Sequence, residues 1–355
     1  DAVFTGHWHQ YAHGEYDDVE YYIAGSSGAG YGGKENIGIG NFYQYLWCTV
    51  KDNKLYTTII KAGNSFDKDL VTAEEQNLSY EIPNKLIKIS AEYNEGDKDV
   101  EAVFAIINKT EKDIDREILI DSGAWKIEEN KIPLKIEAGK HFDYQIQMTK
   151  GKSIFPLPVV KLDYPFGRDK NVFYENSINL VRIFDSAKKE NTIEIDGDLK
   201  KKEWKNGKKI EDFCDFDGLP SKGDPFEITF LNDKKYLYIS AKCDEKNMDA
   251  LKSEVTERDG KVYGDDALGF LFSFGKGRIY QFYINSNAAV WDMLIDLNQG
   301  KTDDAWDADI VAASEKHKNN WTLEIKIPLE DIGYDKANNE LKINVRRKQI
   351  GNKTS

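Results

Sequence analysis

The sequence predicts a mainly β protein, a strand-rich N-terminal piece followed by two β-sandwich domains. Short apolar segments alternate with polar residues at period two, separated by Asn, Gly and Asp turns. Helical periodicity is confined to brief stretches. A chain of 355 residues, 40% hydrophobic and 12% aromatic, also has enough apolar material for a core in each of two or three domains.

Residues 1–63 open with a strand-like run, Asp1–Thr5, then Gly6-His7-Trp8-His9-Gln10, the apolar segment Tyr21–Gly25 and a glycine-rich loop, Gly25–Gly33. Phe42–Val50 and Lys54–Lys61, joined by Lys51-Asp52-Asn53, read as a hairpin with a short turn. Residues 64–82 are polar and read as a linker with room for a short helix around Leu70–Gln76. The middle domain, 64–190, has strand patterns at Leu86–Tyr93, Asp99–Asn108, Asp113–Asp121, Trp125–Ile127, Leu134–Ile136 and His141–Met148, the signature of a β-sandwich. Residues 149–190 read as an extended connector, with completion of that domain as the alternative. The third domain, 191–355, has a helical turn over Lys200–Trp204 and strands at Phe226–Leu231, Tyr236–Lys242, Ala267–Phe274, Ile279–Ile284, Ala288–Ile295, Ile310–Ser314, Trp321–Ile327 and Leu341–Arg346.

Asp and Glu number 62 against 49 Lys and Arg, a net charge of −13 that repels a phosphate backbone and argues against nucleic acid as a partner. The longest apolar runs, such as Val103–Ile107, are far short of the roughly 20 residues of a membrane span, and no signal peptide is visible. Cys48, Cys214 and Cys243 are widely spaced without a CxxC, so they form neither a zinc ribbon nor a disulfide framework. A Cys214–Cys243 bond inside one domain stays open.

Three of the five histidines fall within the first thirteen residues. Two imidazoles two residues apart at a strand end point to the same side and can reach a metal or a metal pair, with Gly6 permitting a tight turn. An HxH alone also suits an ordinary small β domain. His13 has no motif around it.

The stretch Asp1-Ala-Val-Phe-Thr-Gly-His-Trp-His-Gln10 resembles GHxH, the last motif of the calcineurin-like metallophosphoesterases. Val19–Gly28 is similar to the strand and glycine turn that close that fold. The resemblance implies that residues 1–63 are the tail of an α/β metallophosphoesterase domain, and that His7 and His9 each ligate one ion of a divalent transition-metal pair acting on a phosphoester. The family's earlier motifs, DxH, GDxxD and GNHE, have no counterpart after residue 10. The chain alone is therefore not expected to assemble the pair and reads as the C-terminal part of a longer protein.

Ile195-Asp-Gly-Asp-Leu-Lys-Lys-Lys-Glu-Trp204 resembles the opening of family 9 carbohydrate-binding modules and their DOMON-like relatives, with Lys201 near a usually acidic position. Asp265–Phe272, Tyr280–Asn285, Asn320–Leu329 and Ile343–Arg347 follow that family's order. The resemblance implies a jelly-roll-like sandwich with a glycan ligand. Flat aromatic faces stack on sugar rings while carboxylates, amides and Arg fix the hydroxyls. Trp291 and Trp306, with Asp292, Asn285, Asn287 and Arg278, offer those groups, although a large aromatic in a sandwich is also a common core residue. Trp204 and Trp321 fall in framework positions and read as core.

The acids Asp303, Asp304, Asp307 and Asp309 suit a structural calcium site of oxygen ligands, as does the pair Asp265 and Asp266; a solvated acidic loop is the alternative. Joined, the two resemblances describe part of a secreted bacterial phosphoesterase, extracellular, periplasmic or cell-surface, tethered to glycan by its last domain. The competing reading is a non-catalytic carbohydrate-binding protein with no metal centre. Between the two ends, the middle domain reads as an immunoglobulin-like spacer.

Overall fold

The computed structural model describes residues 1–30, 35–166, 170–199, 202–337 and 340–350. Part of the glycine-rich loop, and Lys200 and Lys201 of the expected helical turn, lie outside them. The chain is mainly β and forms two compact units: Asp1–Ile183 with Phe216–Leu219, and Phe184–Asp215 with Pro220–Ser355.

In the first unit, β1 (Ala2–Thr5), β2 (Ala12–Tyr16) and β3 (Val19–Ile23) make a sheet ordered β1-β3-β2, with β1 parallel to β3. A second sheet holds β4 (Tyr45–Lys51), β5 (Lys54–Lys61) and β6 (Asn64–Asp67). Asp52 and Asn53 both take positive φ, 51° and 57°, the backbone of a two-residue hairpin turn whose twist matches the strands. Residues 64–67 are a strand where the sequence reads as linker. The helix α1 (Ala73–Glu81) starts later than the polar segment suggests, because Thr72 caps it: Thr72 Oγ1 accepts the Glu75 amide at 3.2 Å and Glu75 Oε2 accepts the Thr72 amide at 3.0 Å. Tyr11, Tyr22, Phe42, Ile59 and Val71 form a small core here.

The rest of this unit is a sandwich. One sheet runs β10 (Lys126–Ile127), β12 (His141–Thr149), β8 (Asp99–Ile107), β7 (Ile87–Asn94), β15 (Asn179–Ile183); the other runs β11 (Lys131–Ile136), β9 (Ile114–Asp121), β13 (Val159–Phe166), β14 (Lys170–Ser177). β7 alternates buried and exposed at every residue, which fixes its face. Residues 159–183 are three strands that complete both sheets, so this segment finishes the domain and is not an extended connector. Lys170 joins the sandwich to α1, with Nζ 2.6 Å from Glu75 Oε2 and both side chains largely buried.

The second unit is a sandwich of two sheets. The first is ordered β16 (Ala187–Lys188), β18 (Phe226–Asn232), β19 (Tyr236–Asp244), β25 (Asn320–Pro328), β24 (Val311–Lys316), with β17 (Lys208–Ile210) also on β18. The second is ordered β23 (Lys301–Asp303), β22 (Val290–Asp296), β21 (Arg278–Asn285), β20 (Ala267–Ser273), β26 (Lys342–Lys348). Phe230, Ile239, Phe270, Phe282, Trp321 and Ile325 pack between them. Cys243 is buried, which pushes its thiol up to about 12, while Cys214 is exposed; neither is disulfide-bonded.

Two polar clasps close this unit. Glu324, fully buried on β25, accepts the amides of Asp196 and Gly197 at 2.9 Å each and Trp204 Nε1 at 2.7 Å. Gly197 is needed: its φ is +90° and a Cβ would meet the Ser314 carbonyl carbon at 2.9 Å. Burial raises the Glu324 carboxyl, and the three donors oppose that shift. Arg347, also buried, donates to the carbonyls of Asp224, Pro225 and Asp244 and pairs with buried Glu245 at 3.2 Å.

Candidate functional site

Strand register divides the second sheet of the C-terminal unit into two faces. Phe270, Phe272, Phe282 and Val345 point into the core, so the residues beside them along each strand point out. One outward row crosses the sheet as Arg346, Gly269, Tyr283 and Trp291; the next as Asn344, Leu271, Gln281 and Met293. Gly269 makes the first row possible. A Cβ there would come within 2.9 Å of the Tyr283 ring, and without it the Arg346 guanidinium lies over that ring, 4.9 Å from its centroid.

Tyr263 completes the aromatic patch from the loop before β20. Its ring stands edge-on to Trp291 at 5.3 Å and to Tyr283 at 6.4 Å, and Tyr263 is 39% exposed. Tyr283 is buried, with its hydroxyl lacking a partner; Trp291 is half-buried, and Arg346 and Asn344 are exposed. The patch combines flat aromatic surface with amide and guanidinium donors on rigid strands. A sugar needs both kinds of group.

The six carbohydrate candidates named from sequence do not share this surface. Trp291 belongs to it. Trp306 lies on the opposite side, tilted against core residues Tyr280 and Phe282 at 5.2 and 5.9 Å. Asn285 is fully buried; its Nδ2 donates to the Val255 carbonyl and Asp265, and its Oδ1 accepts the amides of Asn287 and Ala289. Asn287 donates to the carbonyls of Ser253 and Val255 and accepts from Lys316. Arg278 sits exposed at the far end of β21, 3.7 Å from Asp296. Tyr263, Tyr283, Gln281, Asn344 and Arg346 share the outward face with Trp291 and are not among the sequence candidates; strand parity counted from Phe282 and Val345 picks out all but Tyr263.

The calcium candidates also separate. Asp265 and Asp266 are buried, and their oxygens accept the amides of Glu254 and Val255 and of Lys252 and Ile350. That pair holds a loop in place with backbone donors and does not offer an open oxygen set. Asp303 and Asp304 are exposed, Asp303 capping the Ala305 amide, and the Asp309 amide donates to Asp331. Asp307 instead meets Asp292 and Asp259 around Arg258.

At the N-terminus, Gly6–Gln10 is a bend after β1, not the end of a strand. A Cβ at Gly6 would meet nothing within 4 Å. The left-handed conformations fall on the histidines themselves, φ 82° at His7 and 58° at His9. His7 is exposed, and His9 Nδ1 is hydrogen-bonded to the Gly30 carbonyl at 2.5 Å. His13, by contrast, is buried, with Nδ1 2.7 Å from Asp69 and its ring against Tyr22.

No family model matches the chain, and no curated protein matches it. Among solved structures it is similar to a Bacteroides uniformis protein assigned to carbohydrate binding, at 13% identity and a TM-score of 0.33, covering 40% of this chain and 72% of that one. It is also similar to a family 9 carbohydrate-binding module from Caldicellulosiruptor kristjanssonii in complex with cellotriose, at 10% identity and a TM-score of 0.31, covering 44% of this chain and 72% of that one. At these values neither structure assigns a role to any residue here. No helix among the described residues is long and apolar enough to cross a membrane.

Proposed function

We propose that the C-terminal unit binds glycan on the outward face of its second sheet. The carrying observation is the row Arg346, Gly269, Tyr283, Trp291, set beside Gln281 and Asn344 and flanked by Tyr263. In this reading Trp291 and Tyr263 supply apolar area to a sugar face, and Arg346, Gln281 and Asn344 bond its hydroxyls. Titrating cellotriose and other soluble oligosaccharides against the intact chain tests it. Trp291→Ala and Arg346→Ala should each weaken binding roughly tenfold or more, and Arg278→Ala should not. Unchanged affinity in Trp291→Ala, or no oligosaccharide bound by the wild type, would sink the proposal.

A second reading rests on the N-terminal histidines. Residues 1–63 contribute His7 and His9 to the metal pair of a phosphoesterase that the glycan-binding unit tethers outside the cell or at its surface. Left-handed backbone at His7 and His9, two non-glycine positions of one bend with Trp8 between them, is strain of the kind found at functional sites. Val3, Phe4 and Tyr21 leave this sheet exposed to further protein. The residues fit such a pair only in part, since among the described residues no Asp, Glu, Cys or third His converges with His7 and His9. When bound, the metal pair would supply an activated water and clamp the phosphate; His7 and His9 would hold it. Sequencing the gene upstream of Asp1 decides the matter, because absence of DxH, GDxxD and GNHE would remove this reading.

A further inference from the structure

We propose that the first unit has a glycan site of its own, a cleft in its sandwich that takes a neutral oligosaccharide against Phe216. The cleft exists because the sandwich is open along one edge. β15 pairs with β7 only from Ser90 onward, so Ile87–Ile89 have no strand on that side, and β14 is the outermost strand of the facing sheet. A cavity of about 750 Å3 lies here, lined by the buried side chains of Ile87, Ile89 and Tyr174 together with exposed polar groups. That volume suits a small ligand.

The second observation is Phe216. It belongs to a segment, Phe216–Leu219, that is part of this unit and is held to the sandwich by its backbone. The Leu157 amide donates to the Gly218 carbonyl at 2.9 Å, and Ser177 Oγ donates to the Asp217 carbonyl at 3.0 Å. Only glycine fits at 218, where φ is +77° and a Cβ would come within 2.5 Å of Ser177 Oγ. The segment is pinned, yet Phe216 is 98% exposed where it lines the cavity. Its ring is therefore free to lie against a ligand in the cleft.

The rest of the lining decides the class of that ligand. Ser90, Asn176 and Asn179 are exposed and supply a hydroxyl and two carboxamides. Charge is balanced, because Glu175 pairs with Lys161 at 3.3 Å and Lys88 offsets Asp217. An aromatic ring, neutral hydrogen-bonding groups and no excess of either charge match a sugar, which has an apolar face and a rim of hydroxyls. The rival occupant is a peptide strand added beside β7. The uncovered stretch Ile87–Ile89 gives it only about 10 Å of edge, against about 17–20 Å for an ordinary strand.

The test is calorimetric titration of cellotriose and other neutral soluble oligosaccharides into the intact chain carrying Trp291→Ala and Arg346→Ala. Those two changes take the outward face of the C-terminal sheet out of the measurement, and one site per chain is expected to remain. Adding Phe216→Ala, a change at a side chain in full contact with water, should weaken that site at least about tenfold and leave the melting temperature unmoved. Adding Phe173→Ala instead, an exposed ring of β14 outside the cavity lining, should leave the affinity as it was. The proposal is overturned if the doubly substituted chain binds none of the saccharides, if binding survives Phe216→Ala, or if Phe173→Ala costs as much. It is overturned equally if an extended Ser/Thr/Val hexapeptide binds more tightly than every saccharide, which would make the cleft a strand-pairing groove. A chain in which Trp291→Ala alone changes nothing speaks only to the C-terminal face and leaves each of these outcomes readable.

Discussion

The N-terminal sheets and the C-terminal sandwich are both built of strands, yet they solve burial differently. Among the described residues of 1–63, ten large apolar side chains are exposed, Trp8, Tyr45, Trp47 and Tyr56 among them, and their core cluster contains five buried residues including Val71. The C-terminal unit exposes three, Tyr263, Leu297 and Val311, around a core of twenty-one. Where the core is small, polar pins carry more of the structure: His13 on Asp69, Lys68 on Glu20, Lys170 on Glu75. Where it is large, polar groups either close the core, as Glu324 and Arg347 do, or stand outside it, as Arg346 does.

Adjacent arginines provide the largest test of that distinction. Arg347→Ala would take from buried Glu245 its Arg347 partner and from the carbonyls of Asp224, Pro225 and Asp244 a guanidinium donor, and should cost about 3–5 kcal/mol in denaturant or thermal unfolding. Arg346→Ala removes an exposed side chain over Tyr283 and should cost about 1 kcal/mol or less while weakening glycan binding. Equal destabilisation by the two changes would mean that the outward face is structural.

Much of the fold is legible in the sequence because its strands are wet on one side. β7 and β8 alternate nearly without exception, and the hairpin β4–β5 announces itself through Asp52-Asn53. Strands 159–183 are harder to read, since Pro165, Asn171 and Asn176 break the apolar pattern that neighbouring strands supply in space. The site is less legible than the fold. Residue type singles out Trp291 and Trp306 equally, but register puts one outside and the other against Phe282. Arg346 meets Tyr283 only because β26 and β21 flank Gly269 on β20, and the β20–β26 pairing joins Gly269 to Arg346 across 77 residues, which no local pattern contains. Glu324 looks like an ordinary strand acid until Gly197 and Trp204 are brought to it.

A smaller effect separates the two regions by pH. Asp233 caps the turn between β18 and β19, accepting the amides of Lys235 and Tyr236 at 2.8 Å each, with Lys189 and the Tyr238 hydroxyl at 3.0 Å. Burial works to raise its carboxyl, but these four donors outweigh burial and hold it down at about 2, against an ordinary 3.8. The folded state therefore binds this proton more weakly than the unfolded chain. Its stabilisation, roughly 2 kcal/mol, is complete above the unfolded value and is lost as pH falls from about 4 to about 2. Melting wild type and Asp233→Asn side by side isolates it from the other carboxylates. The gap between them should shrink across that window, and a gap independent of pH would contradict the assignment.

The smallest expected effect bears on the polar side of the comparison. α1 buries Glu75, Gln76 and Ser79, so no apolar stripe seats it against the sheets. Its position depends on the reciprocal bonds between Thr72 and Glu75 and on Lys170, whose ammonium meets the same carboxylate from β14. Thr72→Ala removes only the first of these and should cost about 1 kcal/mol, with Thr72→Ser recovering most of it. Amide exchange within residues 73–81 should quicken in Thr72→Ala, while exchange in the C-terminal unit should stay as in the wild type. If that exchange is unmoved, the cap is dispensable and the helix is seated by the Lys170–Glu75 pair and by Leu78 against the sandwich core.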